Sequence, residues 1–118
     1  MNNSSSILEV NLKNFIHNYK VFKKYIKNKQ VAATIKANAY GIGDKKAFST
    51  LYKNGCRHFF LATLKEGLEL RKLYKKGHIY ILNGLENNDI NIFKINKLIP
   101  ILNSKIEIKV IEKTELKF

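Results

Sequence analysis

The strongest constraint on the fold is an alternation of short apolar runs with segments of helical periodicity. Each apolar run has four or five residues; the runs are Val31–Ile35, His58–Ala62, Ile79–Leu82 and Leu98–Leu102. Strands that alternate with helices are typical of βαβ units, in which the strands pair in parallel. The sequence therefore predicts an α/β fold with a parallel sheet.

The first two predicted helices have recognisable ends. From Leu12 to Ile26 apolar residues recur at helical spacing between lysines, and Asn11 precedes them as a candidate N-cap. Asp44 is expected to cap the second helix, which Asn54 and Gly55 end with a common stop signal. Both helices thus have one apolar side that a sheet can cover.

The remaining segments carry weaker signals. Thr63 and Glu66 have the spacing of a capping box at the start of a third helix. In that helix, Arg71 is expected to lay its stem along the inner face and to send its head group to water. Residues 7–10 are compatible with a short strand. The alternating apolar residues after Ser104 leave helix and strand open.

A lysine follows the first apolar run. That run reads as a strand buried on both faces, and Gly41 and Gly43 indicate the turn that ends it. Lys36 and Tyr40 then lie near the carboxyl end of the strand, where α/β proteins place their chemistry. An ammonium group loses water in such surroundings and its pKa falls, so the amine can form a Schiff base with an aldehyde. On the residues alone, a surface lysine with its stem on the protein remains the alternative.

The sequence from Ile35 to Gly41, IKANAYG, resembles the cofactor-lysine signature of the alanine racemase family. Ile42 departs from the pattern, because the family usually has histidine there. Further similarities follow in order along the family's first barrel strands and helices, at Leu8–Leu12, Asn14, His17–Asn18, Phe60–Arg71, Ile79–Gly84 and Leu98–Ser104. The resemblance implies an α/β fold of parallel (β/α) units that form about half of a TIM-type barrel.

The resemblance also implies a chemistry. Pyridoxal 5'-phosphate would be bound covalently to Lys36, and L- and D-alanine would be interconverted to supply a cell-wall precursor. Lys36 would also be one of two acid–base groups, since a racemase needs proton access to both faces of the α-carbon. Tyr40 would contact the cofactor through its phosphate, and Leu82 would line its pocket. For Tyr40 a packed ring, and for Leu82 ordinary core packing, remain alternatives.

The chain of 118 residues is short for this fold. A complete barrel has eight strands and about 250 residues, so about four strands are present here and two of them have open edges. We expect a disordered N-terminus at residues 1–6 and a partial barrel domain at 7–118. This domain would be a fragment that forms a homodimer or associates with a missing C-terminal half.

In the family, the second base is a tyrosine of the carboxyl-terminal domain of the other subunit, and nothing in this chain resembles that domain. We therefore expect a truncated racemase that is inactive alone. Two alternatives remain open: a non-catalytic protein that binds pyridoxal phosphate, and a gene remnant without function. The residues after Lys36 favour the racemase.

The formal charge of +13 does not indicate a specific nucleic-acid partner. Only Arg57 and Arg71 are arginines, so 20 of the 22 basic residues are lysines, and these are spread along the chain. Nucleic-acid binders usually gather arginines and aromatic residues on one face. No apolar stretch approaches the roughly 20 residues of a membrane span, and the N-terminus lacks the pattern of a signal peptide. A cytoplasmic protein without a membrane partner is expected, and the lone Cys56 predicts neither a disulfide nor a metal cluster.

Overall fold

A computed structural model describes residues 5–27, 29–86 and 88–114. Its elements are α1 (Leu12–Tyr25), β1 (Ala32–Thr34), α2 (Lys36–Tyr40), α3 (Asp44–Lys53), β2 (His58–Leu61), α4 (Leu64–Leu73), β3 (His78–Ile81), α5 (Ile90–Asn96), β4 (Leu98–Pro100) and α6 (Lys105–Glu112). The four strands form one parallel sheet in the order β1-β2-β3-β4. The predicted fold class, parallel (β/α) units forming about half of a TIM-type barrel, is confirmed.

The two faces of the sheet differ in burial. One face is covered by helices, and its side chains form most of the core with residues of α3, α4 and α5; they are Ala33, Phe59, Leu61, Ile79, Ile81, Leu98 and Pro100. The opposite face, here called the open face, is exposed or half-buried and consists of Ala32, Thr34, His58, Phe60, His78, Tyr80 and Ile99. The sheet is therefore covered on one side by the described residues.

Aromatic packing holds α3 against the sheet. The ring of Phe48 lies 4.2 Å from the ring of Phe59 on β2 and 4.5 Å from the ring of Tyr74, which follows α4. Phe48 and Phe59 are both fully buried. Tilted aromatic pairs at this separation contribute beyond the area that they bury. This cluster fixes α3 and the end of α4 on the covered face.

The predicted caps of α1 and α4 are confirmed. The Asn11 side chain accepts hydrogen bonds from the amides of Lys13 and Asn14, and so caps α1. Thr63 and Glu66 form the predicted capping box of α4. Ser104 caps α6, so the segment whose alternation left helix and strand open is a helix.

Two predictions, one for residues 7–10 and one for Arg71, are wrong. Residues 7–10 are not part of the sheet, and Ile7 and Leu8 are exposed. Arg71 does not reach water, because only 7% of its surface is exposed and its guanidinium donates hydrogen bonds to four backbone carbonyls. The loop after α4 folds back over this side chain, which helical periodicity cannot reveal.

Candidate active site at the carboxyl end of the sheet

Lys36 follows β1 at the carboxyl edge of the sheet. Strand β1 ends at Thr34, and the amide of Ile35 continues the pairing by donating to the carbonyl of Phe60 (2.9 Å). Ile35 is buried, whereas Lys36 is partly buried. The prediction that this strand is buried on both faces is wrong, because Ala32 and Thr34 lie on the open face. The position of Lys36 at the end of the strand agrees with the sequence prediction.

The chain then makes an unusual turn. Residues 37–40 of α2 all have left-handed backbone angles, with φ between 50° and 55°. For residues other than glycine, this conformation costs roughly 1–2 kcal/mol per residue. Gly41, at φ 89°, ends the turn without that cost. A strained segment therefore follows directly after Lys36.

Hydrogen bonds and one buried side chain hold the turn. The amide of Ala39 donates to the carbonyl of Ile35 (2.9 Å), and the Ala39 side chain is buried. The carbonyl of Asn38 accepts from the amide of Gly43 (2.9 Å), and the Asn38 side chain accepts from the amide of Asp44 (3.1 Å). The prediction that Asp44 caps α3 is wrong, because Gly43 occupies the N-cap position and the Asp44 side chain accepts from the amide of Lys45 (2.7 Å) within the helix. The turn and α3 thus form one connected unit.

Glu66 connects this turn to the next strand. One carboxylate oxygen accepts from the amide of Ala37 (2.8 Å), and the other accepts from the amides of Ala62 (2.8 Å) and Thr63 (3.1 Å). The capping box predicted the contact with Thr63. The contact with Ala37 joins residues 29 positions apart, and no local sequence signal reveals it.

Tyr40 and Leu82 lie at the same edge as Lys36. Tyr40 is the last left-handed residue and is 64% exposed. Leu82 follows β3, continues the ladder by donating its amide to the carbonyl of Leu61 (2.9 Å) and is partly buried. Its carbonyl accepts from the side chain of Asn103 (2.8 Å), which follows β4. All three predicted site residues thus belong to segments that leave the carboxyl ends of strands.

The open face supplies an aromatic surface below this edge. The rings of Phe60 and Tyr80, on neighbouring strands, stack with centroids 4.6 Å apart, and Ile99 lies beside Tyr80 in the register. A planar pyridine ring fits such a surface, and the amine of Lys36 fits the aldehyde that such a cofactor carries. The residues present are therefore compatible with pyridoxal phosphate at this edge.

The histidines of β2 and β3 occupy the opposite, amino-terminal end of the sheet. The rings of His58 and His78 stack 4.8 Å apart, and Nδ1 of His58 is hydrogen-bonded to the hydroxyl of Tyr80 (2.8 Å). Burial, and then the charge of His78, lower the pKa of His58. Within the described part of the chain, no three His, Cys, Asp or Glu side chains cluster as metal ligands would. We find no helix among the described residues that is long and apolar enough to cross a membrane.

Comparison with known proteins decides the family. The family model described as "Alanine racemase, N-terminal domain" matches residues 10–117. The chain belongs to the alanine racemase N-terminal domain family. The resemblance found in the sequence is thereby confirmed.

Individual racemases agree with this family assignment. The alanine racemase of Rhizobium meliloti is 38% identical over 107 residues, which are 91% of this chain and 28% of that protein. The crystal structure of alanine racemase from Bartonella henselae, with covalently bound pyridoxal phosphate, is 31% identical with a TM-score of 0.84 and covers 92% of this chain and 32% of its own. A histidine racemase from Leuconostoc mesenteroides has a TM-score of 0.80 at 25% identity, covering 96% and 30% of the two chains. The chain thus spans about three tenths of the length of these relatives.

Proposed function

We propose that this chain provides the lysine-bearing part of a pyridoxal-phosphate-dependent racemase that interconverts L- and D-alanine. Lys36 at the carboxyl end of β1, within a sequence that matches the racemase family, is the observation that carries the proposal. Alanine is the proposed substrate because the curated relative at 38% identity is named an alanine racemase. The histidine racemase among the similar structures means that the substrate itself needs testing.

The described residues support a division of roles. Lys36 would hold the cofactor by a covalent bond from its Nζ to the aldehyde carbon, and its Nζ would exchange the α-proton on one face of the amino acid. Tyr40 would contact the cofactor phosphate, and its exposed hydroxyl is free to turn toward a ligand. Leu82 would line the pocket above the open face. Bound pyridoxal phosphate supplies a ring that withdraws electrons from the α-carbon.

Racemisation of alanine requires more than the groups of this chain. Racemisation needs a second base on the opposite face, which in the family is a tyrosine of the carboxyl-terminal domain. We propose that the 118-residue polypeptide, with its partial barrel domain at residues 7–118, does not racemise alanine by itself. It would act in the cytoplasm, as a homodimer or in association with a C-terminal half that carries the rest of the barrel and the second domain.

A labelling experiment tests the role of Lys36. The 118-residue chain, Lys36→Ala and Lys65→Ala are each incubated with pyridoxal phosphate, and visible absorbance is recorded before and after borohydride reduction. Lys65 is an exposed lysine of α4 and serves as the matched control. We expect the unmodified chain to show a visible absorbance band from covalently bound pyridoxal phosphate. This band should be absent in Lys36→Ala and present in Lys65→Ala. A band of equal height in all three proteins would contradict the proposal.

The racemisation assay separates the remaining alternatives. The chain alone, mixed with the cofactor and L-alanine, is expected to give no D-alanine; turnover that depends on Lys36 would show that one base suffices. Specific binding without turnover, even after the missing part of a racemase is added, would indicate a non-catalytic pyridoxal phosphate protein. Absence of any Lys36-dependent band would favour a remnant without function.

A further inference from the structure

We propose that Glu66 is the positioning residue for Lys36. Its carboxylate fixes the peptide unit that follows the lysine, and in this way sets the direction in which the lysine side chain leaves the backbone relative to the open face. The inference rests on the proposed function of Lys36, which it deepens by naming the group that orients this side chain. The proposed role of Glu66 acts through the backbone amide of Ala37 and not through contact with the amine.

The first step is the position of Lys36 between two fixed points. On its amino side, Ile35 is buried, and its carbonyl, in the peptide unit that precedes Lys36, accepts from the amide of Ala39 (2.9 Å). On its carboxyl side, the amide of Ala37 is bonded to Glu66 Oε1 at 2.8 Å. The Cα atom of Lys36 therefore lies between two restrained peptide units, and only the side-chain torsions remain to be set.

The second step is that hydrogen bonds, rather than packing, hold Ala37: its carbonyl accepts from the amide of Gly41 (3.2 Å), and its amide donates to Glu66 (2.8 Å). Ala37 is exposed, so packing does not fix its backbone, and its φ of 50° is strained for alanine. Of the four left-handed residues, Ala39 is the buried one. The bond to Glu66 thus restrains the peptide unit that directly follows the lysine, at the point where the strain begins.

The third step is that this bond is not needed for helix capping. The capping box of α4 uses Glu66 Oε2, which bonds the amide of Thr63, while Oε1 is left for Ala37. Glu107 occupies the same place in α6: its Oε2 accepts from the amide of Asn103 (2.8 Å), next to the cap residue Ser104. Among the described residues, the Glu107 carboxylate is bonded to Asn103 and Ser104 and not to the end of β1, so it provides an internal control for a capping glutamate without the positioning contact.

The chemistry of the side chain explains why a carboxylate is required. Two oxygens of one carboxylate can accept from two separate amides, whereas glutamine has one acceptor oxygen and one NH₂ group. Glu66→Gln must therefore lose either the Ala37 bond or the bonds to Ala62 and Thr63. Glu66→Asp keeps the charge near the start of α4 but is one methylene too short to span both strand ends.

The test measures which lysine reacts. The full 118-residue chain, Glu66→Gln, Glu66→Asp and Glu107→Gln are treated with substoichiometric pyridoxal phosphate, reduced with borohydride, digested and analysed by mass spectrometry. The readout is the share of label on Lys36 among the 20 lysines. Loss of a charge-assisted hydrogen bond is expected to lower this share by about tenfold in both Glu66 variants. Glu107→Gln is expected to stay within about twofold of the wild type, as a surface cap change far from Lys36 should.

A second readout separates positioning from simple destabilisation. Thr63→Ala removes the hydroxyl that caps α4 but leaves the Ala37 bond in place. Hydrogen exchange at the amides of Ala39 and Gly41 is expected to be faster in Glu66→Gln than in Thr63→Ala, after correction for stability measured by urea unfolding. Equal exchange and equal labelling in these two variants would overturn the inference.

The outcomes distinguish this inference from the function on which it rests. If wild-type Lys36 takes no more label than the other lysines, the proposed function fails. If wild-type Lys36 is labelled preferentially and both Glu66 variants keep that preference, the function stands and the positioning role of Glu66 is refuted. If Glu66→Gln does not fold, the Glu66→Asp result decides.

Discussion

Replacement of Arg71 by methionine is expected to destabilise the chain strongly. The guanidinium is buried and donates to the carbonyls of Lys97 (2.8 Å), Gly77 (3.1 Å), Tyr74 (3.3 Å) and Lys76 (3.3 Å). These carbonyls belong to the loop before β3 and to the residue before β4. One side chain therefore joins the starts of two strands, and methionine keeps its apolar stem but none of its donors.

The magnitude follows from the two shortest bonds. Hydrogen bonds to a charged group contribute about 1.5–3 kcal/mol each, so these two account for roughly 3–6 kcal/mol. Burial opposes this gain, since it lowers the pKa of Arg71, and Nε lacks a hydrogen-bond partner within the described part of the chain. Methionine avoids that desolvation cost, which reduces the net loss to about 2–4 kcal/mol. For a domain of this size, such a loss is a large fraction of the total stability.

Urea unfolding followed by circular dichroism measures this loss. Arg57→Met is the matched control, because Arg57 is exposed, stacks on Tyr52 and donates to the carbonyls of Tyr52 and Cys56. We expect the control to lose less than about 1 kcal/mol, as surface substitutions usually do. An Arg71→Met protein within about 1 kcal/mol of the wild type would refute the argument that the buried guanidinium organises this end of the sheet.

Gly84, His58 and Cys56 each give a further testable prediction. Gly84→Ala should destabilise the fold by about 1–3 kcal/mol in urea unfolding, since Gly84 has φ 84° and a Cβ there would meet the Glu107 carboxylate at 2.6 Å. The lowered pKa of His58 means that the unfolded chain binds more protons just below the ordinary histidine pKa. Stability should therefore fall as the pH drops from about 7.5 to 5.5, and less so in His58→Gln. Burial raises the pKa of the Cys56 thiol, so a thiol reagent at pH 8 should label it in urea far faster than in buffer; equal rates would contradict this burial.

Local signals made much of the fold predictable. Caps such as Asn11 and Thr63 act within one helical turn, so the residues that form them are adjacent in the sequence. The strands were found because their apolar runs are short and bounded by turn residues. What the sequence could not show is which partner covers each face: the burial of Arg71 and the exposure of Ala32 and Thr34 depend on loops and helices far along the chain.

For the candidate site, the sequence predicted the position of Lys36 but not the conformation around it. The position of Lys36 at the end of a strand followed from the apolar run before it and the glycines after it. The left-handed turn did not, because alanine and tyrosine rarely adopt that conformation, and a single asparagine, although more tolerant of it, does not indicate a run of four such residues. The contact between Glu66 and Ala37 was also hidden, since a capping box accounts for the glutamate without it.

The left-handed turn at residues 37–40 is strained. Four left-handed residues cost on the order of 4–8 kcal/mol in total, and a connection from β1 to α3 does not require them, since a glycine turn would serve. The contacts that offset the cost all converge on this segment: Asn38 bonds Gly43 and Asp44, Ala39 is buried and Glu66 holds Ala37. Strained residues persist where the surroundings over-determine them, and they cluster at functional sites. A strained turn directly after a lysine at the carboxyl edge of a parallel sheet is what the role proposed for Lys36 requires, because that role needs the lysine to be held in one place.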